Sequence, residues 1–473
     1  MKKRNLYSLS LMALILTGCL SPDLEIPKTS LPTEVINEKA LQVDSSWWEK
    51  YNDKELTSLI NEAFDNNYNL QKSMLNISLA RSILTGSSSQ RYPSLDAQGS
   101  VDRNKTSANS FNSNEHTIYN NFSLSSILSY EVDLWGKYKD IESSSKARLL
   151  SSYAAKDTVK ISLAANIAEN YFNLISLYNQ LEILNQAVEV KKTTIEKLQS
   201  QYDNGVISKA TLFQQKTLLD NILILRSQTS NTLSLQNSAL AVLIGKNPQE
   251  IVDFSKKGFI KILPKNFDIP EGLTTEALNN RPDIKVAEQN LIASNYEIGV
   301  ARADYFPSIS LSGLLGFQSL QFSNLTHSSA ETYSYGGSIS MPLLNRGKID
   351  ANAESAKTNK EIALVDYRKT VQIAFQELFD ALNSRKNLLE RINYQNSYEK
   401  NLETVLDLTK KQYENGYVDY VSLLDTEYNL LLAKLNTVQL NQSVLSSGVT
   451  LYKVLGGGWK EKDFSEKLKD LQE

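Results

Sequence analysis

The sequence predicts a mainly α-helical chain with a smaller β portion, built as two copies of one unit. Three observations carry that prediction. First, "QYDNGV" at Gln201–Val206 nearly recurs as "QYENGY" at Gln412–Tyr417, 211 positions later. At the same offset Leu240, Leu243, Ile244 and Gly245 meet Leu451, Val454, Leu455 and Gly456, and Gly136-Lys137 meets Gly347-Lys348. Upstream the offset becomes 214: Pro93-Ser94 meets Pro307-Ser308, and Asn69-Leu70 meets Asp283-Ile284. A long internal repeat decides the architecture ahead of any local pattern. Second, each copy holds long proline-free stretches with apolar residues at steps of three and four, the period of helices that pack along a seam. Third, each copy holds two segments in which apolar and polar residues alternate, the period of a strand.

The N-terminus reads as an export address. Lys2, Lys3 and Arg4 precede a short apolar core at Leu9–Leu16, followed by Leu16-Thr17-Gly18-Cys19. Small residues before a cut mark residues 1–18 as a signal peptide. Cys19 is the only cysteine and falls where the leader should be cut. A single cysteine leaves no internal disulfide to form, even in an oxidising compartment. Residues 19–46 form an extended segment. No other apolar run is long enough for a membrane-spanning helix.

The first repeat is placed at residues 47–257, a linker at 258–272, the second repeat at 273–456 and a polar tail at 457–473. In the first repeat, strands are expected at about 94–104 and 117–134. Leu95, Ala97 and Val101 alternate with Asp96, Gln98, Ser100 and Asp102, while Phe122, Leu124, Leu128, Tyr130, Val132 and Leu134 share one parity. No proline follows from about Gly136 to Tyr202, and Ile167, Tyr171, Leu174, Leu181, Leu184, Val188, Ile195 and Leu198 keep near-heptad spacing. Such a helix spans roughly 100 Å at 1.5 Å per residue, far beyond an ordinary globular helix. It suggests a strut that reverses near 203–207.

The second repeat follows the same order. Ile309, Leu311, Leu315 and Phe317 alternate with serines, as do Tyr333, Tyr335, Ile339 and Met341, giving strands at about 308–322 and 332–342. The segments between paired strands, Asn104–Asn114 and Ser319–Ser329, are rich in Ser, Asn and Thr. A second helical hairpin turns near 414–418. Its last helix carries one seam through Val421, Leu424, Tyr428, Leu431, Leu435, Val438, Leu445, Val449 and Tyr452. A second row runs through Leu423, Leu430, Thr437, Val444 and Leu451. Two seams let one helix pack neighbours on two sides. The strands, with one apolar and one polar face, fit either a soluble sheet buried on one side or a membrane barrel with lipid outside and water inside. Four strands are too few to close a barrel, so a membrane reading requires several chains to share one sheet.

Several function classes lose support. The formal charge of −3 becomes −6 without the three basic residues of the leader, which speaks against a polyanion binder. The two histidines, His116 and His327, sit at polar loop tips 211 positions apart; duplication accounts for them better than metal ligation. There is no Gly-rich phosphate loop before a helix and no nucleophile elbow, so neither catalytic residues nor a cofactor are expected. Only Met74 and Met341 remain after the leader, which leaves no methionine relay for soft metals.

Three stretches carry a family likeness: "RPDIKVAEQNLIASNYEIGVARADYFPSISLSG" at Arg281–Gly313, "WWEKYNDKELTSLINEAFDNNYNL" at Trp47–Leu70, and Tyr130-Glu131-Val132-Asp133-Leu134-Trp135-Gly136-Lys137. The chain resembles the TolC-like outer-membrane channel family, and within it the acylated NodT-like efflux channels. The resemblance implies a homotrimer whose chains each give four strands to a shared twelve-stranded β-barrel in the outer membrane. Each chain also gives two helical hairpins to an α-helical tunnel across the periplasm. It implies docking on a periplasmic adaptor and an inner-membrane pump, usually of the resistance-nodulation-division (RND) type, and passive conduction of small molecules such as drugs. Leu16–Cys19 likewise resembles a bacterial lipobox, implying acylation of Cys19. The rival readings are the duct of a one-step protein secretion system and a non-transporting coiled-coil lipoprotein spacer.

The resemblance also implies a periplasmic gate near the second hairpin turn, where Asp425 matches the family's gate aspartate. Three such carboxylates near one axis form an acidic collar that disfavours anions. Asp419 is the weaker candidate, because an acid in a helix's first turn is stabilised by the helix dipole alone. Tyr428 stands where the family often has an arginine. The first-repeat equivalents are Ser208 and Gln214, so the first hairpin reads as static and the second as the gate. Asn204, Gly205, Asn415 and Gly416 supply the turns, glycine being free to adopt the left-handed conformation that ends a helix. By resemblance these tips meet the adaptor. Pro93, Gly136, Pro307 and Gly347 mark the passages between strands and helices.

Overall fold

The computed structural model describes residues 22–24, 45–107, 118–248 and 281–459. Cys19, His116, the 258–272 linker and residues 460–473 lie outside the described residues. The helices are α1 (Lys54–Asn66), α2 (Tyr68–Ser89), α3 (Lys137–Asp203), α4 (Lys209–Leu243), α5 (Pro282–Ala303), α6 (Arg346–Glu414) and α7 (Tyr420–Val454). The strands are β1 (Ser94–Lys105), β2 (Ile118–Glu131), β3 (Ser308–Ser319) and β4 (Glu331–Ser340). Helices α3 and α6 have 67 and 69 residues, about 100 Å each. Among the described residues no helix is long and apolar enough to cross a membrane.

The chain divides into two compact units. One comprises Met1–Lys28, Asn76–Tyr153 and Lys285–Arg368; the other comprises Thr29–Leu75, Ala154–Ile284 and Lys369–Glu473. Each unit takes pieces of both repeats, so the duplicated halves are not separate bodies.

The first unit holds a four-stranded antiparallel sheet in the order β1-β2-β3-β4. The central β2–β3 pairing joins the two repeats. Register keeps the parities of the sequence aligned. Leu95 faces Leu128 and Val101 faces Phe122; Leu124 faces Phe317 and Tyr130 faces Leu311; Ile309 faces Ile339. These pairs share one face. The other face pairs Ser100 with Ser123, Ser129 with Ser312 and Ser310 with Ser338. Gly316 lets β3 lie tight against β2: a Cβ there would lie 2.3 Å from the Leu124 carbonyl oxygen. Strand β2 stops at Glu131, short of Leu134. The reason is Asp133, whose carboxylate accepts from the backbone N–H groups of Tyr138 (3.1 Å) and Lys139 (2.9 Å) and so caps the start of α3.

The second unit is built on a helical core that the "WWEKY" stretch enters directly. Trp47, Tyr51, Leu56, Leu59 and Ile60 pack with Ile167, Tyr171 and Phe172 of α3, Leu240 of α4, and Leu445, Val449 and Tyr452 of α7. Trp47 stacks on Tyr452 with ring centroids 5.3 Å apart. Asp53 caps α1 by accepting from Glu55 N and Leu56 N, and Tyr171 Oη donates to its other oxygen at 2.8 Å. Burial first, and then that bond, push the Tyr171 hydroxyl well above its ordinary pKa. Arg281 is also structural. It is 7% exposed, pairs with Asp283 and Glu377 at 2.7 Å each, and donates to the last-turn carbonyl of Val454 at 3.1 Å.

Both seams of α7 are used. Leu431 and Leu435 pack on Leu184, Val188 and Ile222 of the first hairpin. Val444 of the second row packs with Leu440 on Ile392 of α6, its own hairpin partner.

Candidate functional site: hairpin tips, sheet face and strand–helix passages

Both hairpin tips are built alike. At the first, Val206 N donates to Gln201 O at 2.8 Å and Gly205 N to Tyr202 O at 2.9 Å. At the second, Tyr417 N donates to Gln412 O at 2.9 Å and Gly416 N to Tyr413 O at 3.0 Å. This crossed pair closes a helix when the residue after the cap is left-handed, and Gly205 and Gly416 have φ of 72° and 76°. Asn204 and Asn415 fold their side-chain amides back onto Ser200 O and Lys411 O, each at 2.7 Å. They satisfy carbonyls that the ending helix leaves open.

The helices leaving the tips are capped alike too. Ser208 accepts from Thr211 N at the start of α4, and Asp419 accepts from Ser422 N at the start of α7. Asp419 also accepts from Ser422 Oγ at 2.6 Å. The Ser422 hydroxyl and backbone N–H bonds hold its carboxyl below the usual aspartate range. Capping thus accounts for Asp419 and Ser208 together. Asp425 against Gln214 is the acidic difference that capping leaves unexplained. Both are exposed, while Tyr428 is half-buried.

A contact near Asp425 went unpredicted. Lys191 of α3, 6% exposed, forms an ion pair with Glu427 of α7 and donates to Gln215 of α4 at 3.4 Å. Two residues of helix turn Glu427 roughly 200° away from Asp425. One carboxylate therefore clamps the first hairpin while the other stays free. The signal was present: Lys191 falls on the α3 seam between Val188 and Ile195, three residues from one and four from the other.

In the first unit, one sheet face displays Leu315, Tyr333, Tyr335 and Ile339 at 68%, 73%, 86% and 74% exposure. A contiguous apolar surface of this size marks a membrane or partner interface. The strands have 10 to 14 residues, enough for a bilayer, which needs about 9–11. Among the described residues, strands β1 and β4 each leave one edge unpaired.

The strand–helix passages differ between repeats. Gly136 has φ of 76° before α3 begins, but Gly347 already lies inside α6. The two glycines align in sequence without sharing a conformation. Pro93 directly precedes β1, and Pro307 directly precedes β3. Trp135 Nε1 donates to Pro307 O at 2.7 Å, its ring stacks on Phe306, and Lys137 pairs with Asp304 at 2.7 Å. Asp140 in the first turn of α3 is 7% exposed, and burial pushes its carboxyl up to about 6 against a partial offset from Lys139. Among the described residues no group of three or more His, Cys, Asp or Glu could hold a metal ion.

The chain as a whole is similar to known proteins. The chain is 29% identical over 465 residues to the cation efflux system protein CusC of Escherichia coli O157:H7, covering 95% of this chain and 98% of that protein. It is 28% identical over 473 residues to the toluene efflux pump outer membrane protein TtgC of Pseudomonas putida, covering 97% and 96%. Its structure matches the crystal structure of the Campylobacter jejuni CmeC outer membrane channel with a TM-score of 0.88 at 27% identity, covering 95% of this chain and 98% of that one. The family described as outer membrane efflux protein matches residues 59–246 and 273–457, which take in both hairpin tips and the central sheet strands. The chain belongs to the outer membrane efflux protein family.

Proposed function

We propose that three copies of this chain close one barrel and one helical tunnel, and that the assembly is the exit duct of a tripartite efflux pump. The observation that carries this is the sheet. It has one continuous exposed apolar face, a serine-rich opposite face and two unpaired edges. Unpaired edges are not tolerated in lipid, and three four-stranded sheets give a twelve-stranded barrel with none left over. The hairpins cross the periplasm to an adaptor, met at the tips around Asn204-Gly205 and Asn415-Gly416, and to an inner-membrane pump of the RND type. Relatives of similar identity are named for cations and for toluene. The cargo is therefore chosen by the pump, and the duct conducts passively. Asp425 forms the acidic collar of the closed end, and the Lys191–Glu427 pair holds α7 against the first hairpin in that state.

Cys19 carries the lipid of the mature N-terminus. Cys19→Ser abolishes incorporation of radioactive fatty acid; persistent labelling would rule out the lipobox. The duct is tested by reconstituting the purified protein into liposomes and measuring release of trapped small solutes. Trimers by mass with solute release support the proposal. A folded protein that associates with the membrane and releases nothing is the spacer instead.

A further inference from the structure

Two helices of the second unit carry open stripes near the hairpin tips. On α4, Phe213 and Ile224 flank Lys216; on α6, Tyr394, Tyr398 and Val405 flank Leu402. Steps of three and four hold each set on one helix face. Phe213, Ile224, Tyr394, Tyr398 and Val405 are 45–68% exposed. Their counterparts one repeat away are covered. Leu424, which matches Phe213, is buried. Leu435 and Ala187, which match Ile224 and Tyr398, pack in the cluster where α7 meets the first hairpin. The seam inside the chain therefore uses the very positions that α4 and α6 leave open.

That inner seam supplies a register. Lys191 of α3 pairs with Glu427 of α7. Shifted by the repeat offset, these positions become Leu402 of α6 and Lys216 of α4. Helix α4 leaves its tip and α6 approaches its own, so the two run antiparallel, as α7 and α3 do. Three residues toward the tips from that contact, Phe213 meets Val405. Four and eight residues away from the tips, Asp220 meets Tyr398 and Ile224 meets Tyr394. Apolar side chains meet apolar ones, and the carboxylate meets a phenol that can donate to it. Lys216 meets Leu402, along which its aliphatic stem can lie. Against Lys191 it would bring two ammonium groups together, so the α4 stripe accepts α6 and rejects α3. We propose that α6 of a second copy seats on α4, with Phe213 against Val405 and Ile224 against Tyr394, and that this seam closes the helical wall between copies. The seam rests on the three-copy reading above and gives it a register. Its chemistry differs from that of the inner seam: aromatic and aliphatic between copies, an ion pair at the same level within each chain.

The test combines Phe213→Cys with Val405→Cys in one full-length chain carrying Cys19→Ser. The purified protein is sized by native mass, treated with a short bis-maleimide and run on a denaturing gel. Covalent trimers are expected, about tenfold more than from Phe213→Cys with Tyr394→Cys, whose second cysteine lies about 16 Å further along α6. Ile224→Cys with Tyr394→Cys is a second matched pair, which keeps the test decisive if the first assembles poorly. Trimers by native mass that yield no covalent trimer with either matched pair overturn the seam and leave the three-copy reading standing. Equal yields from matched and shifted pairs, or cross-links confined to single chains, overturn the register. A protein that is monomeric before cross-linking overturns the three-copy reading itself, and the seam with it.

Discussion

At the residue scale, three acids that look alike in the sequence have separate tasks. Asp419 caps α7, as Ser208 caps α4; Glu427 pairs with Lys191; and Asp425 is exposed on another side of the helix from Glu427. Asp425→Ala is expected to raise conductance severalfold and weaken cation preference in bilayer recordings; unchanged values would remove it from the gate. Lys191 and Glu427 are predicted to restrain α7. Glu427→Gln leaves a buried ammonium without its counter-charge, a loss of a few kcal/mol moderated because Glu427 is partly exposed. The expected result is a raised open probability with the barrel intact. Asp140 tests the electrostatics. Its folded-state pKa, about 6, lies above the unfolded value, so the native state binds the proton more tightly. The penalty for ionising it is absent below about pH 4, grows through pH 6 and is full at neutral pH. Asp140→Asn should therefore raise the unfolding temperature at pH 7.5, with the gain closing below about pH 5. A gain that is equal at both pH values contradicts this sign.

The element scale is where the sequence was most legible and where its silences have physical causes. Period two placed the strands on one face, because register between paired strands preserves parity. Steps of three and four placed the first seam of α7, and steps of seven placed the second row. The "NG" phrases located both tips because only a left-handed residue closes those helices. Three things stayed hidden. The Lys191–Glu427 pair joins residues 236 positions apart, which no local period encodes. The end of β2 at Glu131 depends on Asp133 capping a helix that has not yet begun. Gly347 shares an alignment column with Gly136 but not its φ, since the second long helix has already begun at Arg346. The sheet makes its own prediction. Leu315→Arg sets a charge on the apolar face and should cost about 2–4 kcal/mol near the bilayer midplane, seen as loss of heat-resistant assembled protein in the outer membrane. Ser338→Arg, on the opposite face, should assemble normally. Equal behaviour of the two would reject the assigned sidedness.

At the scale of the whole molecule, the duplication is not a pair of domains. Each compact unit draws on both repeats, and the central strands of the sheet come one from each. Neither repeat holds a complete sheet or a complete helical core, so neither half is expected to fold alone. The family likeness could be read from the sequence because its most specific stretches do structural work. "WWEKY" fills the core of the second unit, and Arg281 ties α5, α6 and α7 together there. The closure of the barrel was less legible, because it is a property of several chains and shows in one chain only as two unpaired edges. The claim that those edges meet in a conducting assembly is tested most directly by single-channel recording of the purified full-length protein in a planar bilayer. The account predicts discrete, cation-preferring conductance steps that grow in Asp425→Ala. A bilayer that takes up folded protein and shows no steps with either form would contradict it.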